Sequence, residues 1–386
     1  MVCQSYYLRD PRVRREAEAL ADDGFAVDVI TLRDKGEPKK EKVNKVNIYR
    51  LPLMRKRAGI IRYLFEYFWF FFLSSLFLFC LFLKKRYNLI QIHTMPDFLV
   101  FCALIPRIFK AKIILDVHEP MPELFVSKYN LGKKNFLKKL LLLQEKVSFF
   151  FPHRIITVSD PLKGLFIERN LSIKNKIDVV LNVPDTKIFN RTTIKKSGKP
   201  DSDFVLIYTG TIAERNGLDI AVRGVHLLKD KIPKLKLLIV GEGEHLNYIK
   251  NLVMDLKLEK NIEFHDPVPI DQIPKFISGA NLGISTHKQD SFWDYYFSTK
   301  IVEFLISGLP VISARTRTIQ YYFNDNMLFF FTPEDVNDFT EKVLLVYRNP
   351  LLSKEKIANA REYIAGSLSW EKEKGRYIKL VDFLTG

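Results

Sequence analysis

Apolar residues along this chain fall into short continuous runs that alternate with stretches of helical spacing, and the alternation starts twice. Residues 10–23 carry an amphipathic helical pattern that stops at Gly24 and leads into a strand over 26–31. A charged loop at 33–45 precedes a short strand at 46–50 and a long aromatic helix. Strands follow at 89–93, 112–117, 155–158 and 177–181, separated by helical patterns near 98–109, 133–150 and 161–169. The opening segment, 2–4, is too short for a central first strand, which usually runs about five or six residues. The start therefore reads as trimmed, and the sequence does not say whether Met1 is the natural first residue. A polar run, KKSGKPDSD at 195–203, is the best linker. Beyond it come strands at 204–208, 236–240, 262–264, 282–285, 311–313 and 328–331, with helices between them and to the end.

Such alternation predicts an α/β protein: two successive Rossmann-like, doubly wound domains, each a mostly parallel sheet covered on both faces, with ligands at the carboxyl ends of the strands. The expected division is an N-terminal domain over 1–195, a C-terminal domain over 196–369, and a closing helix over 370–386 that packs back towards the first domain. The stretch 297–312, FSTKIVEFLISGLPVI, organises the second half. Ser298 or Thr299 can cap a helix, Gly308 can close it, and Pro310 stops it before the strand Val311-Ile312. Ile301, Val302, Phe304 and Leu305 form its apolar side, while Lys300, Glu303 and Ser307 share one polar edge. Spacing alone fits a solvated surface as well as a ligand grip.

Composition narrows the partners. The chain has 386 residues, 47% of them hydrophobic, which is ample for two cores. Sixty Lys+Arg against 44 Asp+Glu give a formal charge of +16, favouring anionic partners. No groove-reading motif accompanies the basic groups, so nucleic acid is not an expected partner. Cys3, Cys80 and Cys102 are far apart with no CxxC pair, which offers neither a zinc site nor a disulfide framework and fits a reducing cytoplasm. No cleavable signal peptide is visible. Residues 67–83 hold 17 residues without a charge, followed by Lys84-Lys85-Arg86. That length is at the lower edge of a spanning helix, and periodicity leaves three readings: a core helix with a membrane-dipping face, plain core, or a span. With the basic helix 133–146, it points to an anionic membrane surface as a partner.

Five segments in order carry a resemblance: 10–31, ILDVHEPMPELF at 114–125, YTGTIAERNGLDIAV at 208–222, LLIVGEGEHL at 237–246 with 262–285, and STKIVEFLISGLPVI. Together they resemble the retaining glycosyltransferases of family 4, the group 1 type, whose GT-B fold sets two Rossmann-like domains across an interdomain cleft. The resemblance implies a nucleotide sugar as donor, no metal and no other cofactor, and a front-face mechanism assisted by the leaving phosphate. It implies Glu303 on the ribose hydroxyls, Lys300 and Arg215 on the diphosphate, and the base against the backbone at Val268. His118, with Glu119 beside it, is the implied contact for donor sugar or acceptor, and His93 a second candidate. Gly210, Gly241 and Gly243 are places where backbone could approach the ligand closely, and Ser298 and Thr299 open the binding helix.

Two positions depart from the commoner family pattern. Thr211 follows Gly210 where an arginine is usual, and Tyr295 stands eight residues before Glu303 where a glutamate is usual. The donor sugar therefore does not carry over. The expected function is a retaining glycosyltransferase, cytoplasmic and peripheral on the inner membrane face, moving sugar to a surface-glycan or lipid-linked acceptor. Rivals are a nucleotide-sugar epimerase on the same fold and a non-catalytic sugar-nucleotide-binding or membrane scaffold protein. No segment speaks to oligomeric state.

Overall fold

The computed structural model describes residues 1–54, 60–129, 136–189 and 203–386. The chain divides into two units, Met1–Asn182 with Glu371–Gly386, and Val183–Trp370. Strands of the first unit are β1 (Asp28–Leu32), β2 (Lys40–Val43), β3 (Val46–Leu51), β4 (Leu89–His93), β5 (Lys112–Val117), β6 (Arg154–Thr157) and β7 (Ile177–Val179). β1 pairs in parallel with β3, and β4 to β7 form a parallel run in sequence order. Val2 joins the two parts, bridging Ile30 and Ile92 in parallel. Its N–H donates to the Gln91 carbonyl at 2.9 Å, and the Cys3 N–H donates to the Ile30 carbonyl at 3.0 Å. The opening segment thus occupies the central strand position despite its shortness, because the strands on either side supply its pairing.

One further expectation changes. The 33–45 stretch was expected as loop, yet it contains β2, antiparallel to β3 at the sheet edge. Charged side chains hide a strand of this kind from a hydrophobic pattern and also protect an exposed edge. Between β5 and the basic helix, where the sequence pattern marks no element, the chain forms the helix Met121–Tyr129 with Pro122 in its first turn.

The aromatic helix runs Ile60–Lys85. Tyr67, Phe70, Ser74, Leu78, Leu81 and Phe82 are buried at three- and four-residue spacing. Phe71 packs on Phe98, Phe77 on Tyr49 and Phe82 on Phe109, with ring centroids 5.7, 5.7 and 6.1 Å apart. The opposite face exposes Phe65, Phe68, Trp69, Phe72, Leu76 and Leu83. Leu64–Lys85 is long and apolar enough to cross a membrane by length and composition, but one face is committed to the first unit's core.

The second unit contains β8 (Phe204–Thr209), β9 (Leu235–Val240), β10 (Ile262–His265), β11 (Leu282–Ser285), β12 (Val311–Ala314) and β13 (Phe329–Phe331). All pair in parallel in the order β10-β9-β8-β11-β12-β13. Counted from β8, this is the 3-2-1-4-5-6 order of the dinucleotide fold, whose strand order reverses between its first and fourth strands. Here that point lies between β8 and β11. Its core centres on Leu206, Tyr208, Ile220, Val225, Leu237, Ile284 and Ile312. The division between units falls upstream of the expected 195/196 boundary, which lies outside the described residues. Val183 and Phe189 are already fully buried, and the helix Thr186–Phe189 packs on the helix Thr299–Ile306. Hydrophobic anchoring at Val183 and Phe189 thus ties the chain to the second unit before the polar run is reached.

Candidate functional site

Strand alternation builds a polar cluster at the carboxyl ends of β4 and β5. Gln91 and His93 are two apart on β4, Asp116 and His118 two apart at the end of β5, and His93 lies in register with Asp116. All four are at most 6% exposed. One oxygen, Asp116 Oδ2, lies 2.8 Å from His93 Nδ1 and 2.9 Å from His118 Nε2, and the two nitrogens are 3.3 Å apart. Gln91 Nε2 donates to Glu16 Oε2 at 2.6 Å and to Asp116 Oδ2 at 3.3 Å. The buried hydroxyl of Tyr377, on the helix Trp370–Thr385, donates to Gln91 Oε1. Glu16 reaches this network from the helix Pro11–Asp22, which Asp10 caps by accepting from the Arg12 and Val13 N–H groups.

Burial pushes the Glu16 carboxyl well above the usual range, and the neighbouring Asp116 charge adds to it. Burial also opposes ionisation of Asp116, yet the two histidines outweigh it and hold that carboxyl below its ordinary value. Desolvation lowers His93 despite Asp116. Of this pair Glu16 therefore holds its proton more strongly and Asp116 gives its proton up more readily.

A second cluster lies at the switch point of the second unit. Lys300, in the first turn of the helix Thr299–Ile306, places Nζ 4.0 Å from the Tyr208 ring centroid. A side chain at Gly210, where φ is +119°, would stand 3.8 Å from that same Nζ. Arg215 follows in a 3-10 turn, Glu214–Asn216, stacked 5.9 Å from the Phe292 ring centroid. Its Nε is buried and has no hydrogen-bond partner among the described residues. His287, just past β11, stacks on Trp293 with centroids 3.7 Å apart. Burial, then the charges of Lys300 and Arg215, hold His287 well below its ordinary range. Burial brings Lys300 down to about 8 although Glu303 pulls upward. Two cations, Lys300 and Arg215, thus flank an imidazole held uncharged, an arrangement suited to an anionic ligand.

The structure groups some expected residues and separates others. Gly210, Arg215, Lys300, Ser298, Thr299 and Glu303 belong to the second cluster or its helix. Ser298 occupies the cap position, but its hydroxyl makes no capping bond and is buried without a partner among the described residues. Gly241 and Gly243 sit where backbone approaches backbone: a Cβ would come 2.0 Å from the Gly210 carbonyl and 2.1 Å from that of Ile212. Their tightness supports the 210–212 loop. Val268 is half-buried in the loop after β10, and Glu119 is partly exposed beside His118. Tyr295 accepts a hydrogen bond from Arg317 at 2.9 Å. Asp116, Gln91, Glu16, Tyr377 and His287 were not singled out from sequence. For Gln91 and Asp116 the signal was a polar residue inside a strand that is otherwise apolar on both faces; Glu16 and Tyr377, on helices, and His287, past the end of β11, carried no such signal. A cavity of about 670 Å³ lined by Asp28, Asn47, Lys85 and Leu89 lies at the opposite, amino end of the first sheet and touches neither histidine.

Doubly wound parallel sheets in both units, with cations gathered at the second unit's switch point, define the GT-B class of glycosyltransferase folds. Comparison with known proteins supports that class. Residues 12–187 match the family described as Glycosyltransferase Family 4, and residues 189–363 match Glycosyl transferases group 1. An uncharacterized glycosyltransferase of Methanocaldococcus jannaschii, MJ1059, is 26% identical over 252 residues, 61% of this chain and 60% of that protein. The chain thus aligns with about 60% of that relative's length. Sucrose-phosphate synthase from Thermosynechococcus elongatus superposes with a TM-score of 0.80 at 19% identity, covering 99% of this chain and 98% of that one. HepE from Anabaena, in complex with UDP-glucose, superposes with a TM-score of 0.71 at 14% identity and the same coverage. The chain belongs to the family 4, group 1 glycosyltransferases.

Proposed function

We propose that this protein transfers a sugar, with retention, from a nucleotide-sugar donor to a surface-glycan or lipid-linked acceptor at the cytoplasmic face of a membrane. The observation that carries the donor half is that Lys300 and Arg215 both lie close enough to act on the buried His287 at the switch point, with Lys300 beside Gly210. A diphosphate leaving group gains negative charge in the transition state, and preplaced cations there stabilise it without reorganisation. Lys300 supplies a point charge, Arg215 a fork with an unused Nε–H, and the amino end of the helix Thr299–Ile306 free N–H groups. Glu303, one turn into the same helix, accepts from the ribose hydroxyls. These two cations do the work that a metal does elsewhere, so the reading calls for no metal. His118 and His93 take hydroxyl groups of the sugar or acceptor. Tyr295, engaged with Arg317, stands where a carboxylate would read the transferred sugar, and so sets donor preference apart from the commoner family pattern.

The membrane part rests on exposed apolar side chains beside basic ones. Phe68 and Trp69 on one helix, and Phe136, Leu140 and Leu143 on the helix Phe136–Phe150, are all exposed. Lys84, Lys139 and Lys146 are exposed on the same two helices, which suits shallow seating on an anionic bilayer. The test is a panel of nucleotide sugars with a lipid-linked acceptor, reading nucleotide release. Release with one donor, abolished in folded Glu303→Ala protein, is the expected result; no release from any donor overturns the reading. Cosedimentation with vesicles containing phosphatidylglycerol tests the membrane part, and equal binding to purely zwitterionic vesicles would count against the electrostatic share.

A further inference from the structure

We propose that Asp116, held in place by Gln91, Glu16 and Tyr377, is a positioning residue that fixes which nitrogen of His93 and of His118 carries hydrogen, so that the pair presents two acceptor nitrogens to hydroxyl groups of a sugar. The inference rests on the transferase reading for its substrate and on geometry for the rest. A carboxylate oxygen only accepts, so both nitrogens that face Asp116 Oδ2, at 2.8 and 2.9 Å, must be donors. That assigns hydrogen to Nδ1 of His93 and to Nε2 of His118. The remaining nitrogens, Nε2 of His93 and Nδ1 of His118, then carry lone pairs. His93 Nε2 is buried and has no partner among the described residues, the state of an acceptor awaiting a donor.

The network behind Asp116 explains why its carboxylate stays in place. Gln91 ties it to Glu16 and, through its carbonyl oxygen, to the Tyr377 hydroxyl. Tyr377 is separated from Gln91 by 286 positions in the chain, so the closing helix contributes directly to the histidine cluster. Asp116 and Asp10, the latter at the cap of the first helix, face the imidazoles, while Arg12 faces Asp10 and Glu16, and Glu16 faces Asp116. The same three side-chain types could also ligate a metal, since their donor atoms lie within 4.8 Å of one another. Both nitrogens meeting one oxygen at ordinary hydrogen-bond distance favours the bridged pair over three ligands spread around an ion.

Histidine ¹⁵N NMR on the whole protein at pH 8, without substrate, reads the two tautomers, with assignments from His93→Gln and His118→Gln. The expected spectrum shows His93 protonated on Nδ1 and His118 on Nε2. Asp116→Asn, whose amide can donate, should invert at least one tautomer and lower kcat by at least about 100-fold, as misoriented histidines do. Tyr377→Phe removes only the hydroxyl; it should keep the fold, broaden the two histidine signals, and lower kcat more than it changes KM. The opposite tautomer on either ring, or tight binding of one equivalent of zinc that Asp116→Asn abolishes, overturns the proposal. If the tautomers are as expected but no donor is turned over, the transferase reading fails while the positioning assignment stands.

Discussion

The histidine cluster of the first unit and the lysine cluster of the second leave opposite kinds of buried group without a partner among the described residues: an acceptor, His93 Nε2, in one and donors in the other. In the first, each strong donor of the histidine cluster meets an acceptor inside the protein: Tyr377 meets Gln91, Gln91 meets Glu16 and Asp116, and Asp116 meets both imidazoles. In the second, Arg215 Nε, Trp293 Nε1 and Ser298 Oγ are buried without partners among the described residues, and burial depresses Lys300. A network whose donors are satisfied from within holds a geometry; one left short of acceptors is completed by what it binds. The contrast assigns orientation to the histidine cluster and charge neutralisation to the lysine cluster.

The strongest way to break that contrast is to remove the central cation. Lys300→Ala should cut transfer by about 100- to 1,000-fold, roughly 3–4 kcal/mol, the scale for losing one preorganised group at a developing charge. Its thermal midpoint should not fall, because the variant also relieves a partly desolvated ammonium. Initial rates of nucleotide release and a thermal melt check both halves. An unchanged rate would mean the lysine cluster is not where charge develops.

A smaller effect is expected from the backbone beneath that cluster. Gly241 has φ +153°, and a Cβ there would stand 2.0 Å from the Gly210 carbonyl. Gly241→Ala should therefore displace the 210–212 loop and cost about 2 kcal/mol or more of stability, the usual range for combined strain and overpacking. Nucleotide affinity should fall with it, while the His93 and His118 signals stay where they were. Chemical denaturation followed alongside the histidine spectrum separates these outcomes.

Much of this arrangement was open to reading from residues alone, and the exceptions share a cause. The end of the helix Thr299–Ile306, with Gly308 at φ +78° after it and Pro310 before β12, follows from local chemistry. So does the repeated strand–helix order. The central position of Val2, the edge strand β2 and the Tyr377–Gln91 bond depend on partners distant in sequence, which local pattern does not encode. Asp116 was passed over as part of an apolar strand because its burial signals function only once His93 is known to lie beside it. At Gly241 and Gly243 the structure shows a use for the missing side chains that spacing did not suggest, the close approach of the neighbouring 210–212 loop.

The smallest effect sharpens the comparison through pH. Lys300 titrates at about 8 instead of its ordinary 10.5, so between those values the unfolded chain binds more protons than the folded one. Stability of the free protein therefore gains from this group as pH rises from about 8 towards 10.5. Nucleotide binding runs the other way, because a diphosphate needs the ammonium. Affinity for a nucleoside diphosphate should fall above about pH 8 by up to tenfold per unit, about 1.4 kcal/mol, with proton uptake on binding in the same range. Lys300→Arg, charged throughout, should flatten the profile even if its absolute affinity is lower. Calorimetric titrations at pH 7, 8 and 9 in buffers of different ionisation enthalpy measure affinity and proton uptake together. A flat profile in the wild-type protein would place the anion's main cation at Arg215 and leave Lys300 a supporting role.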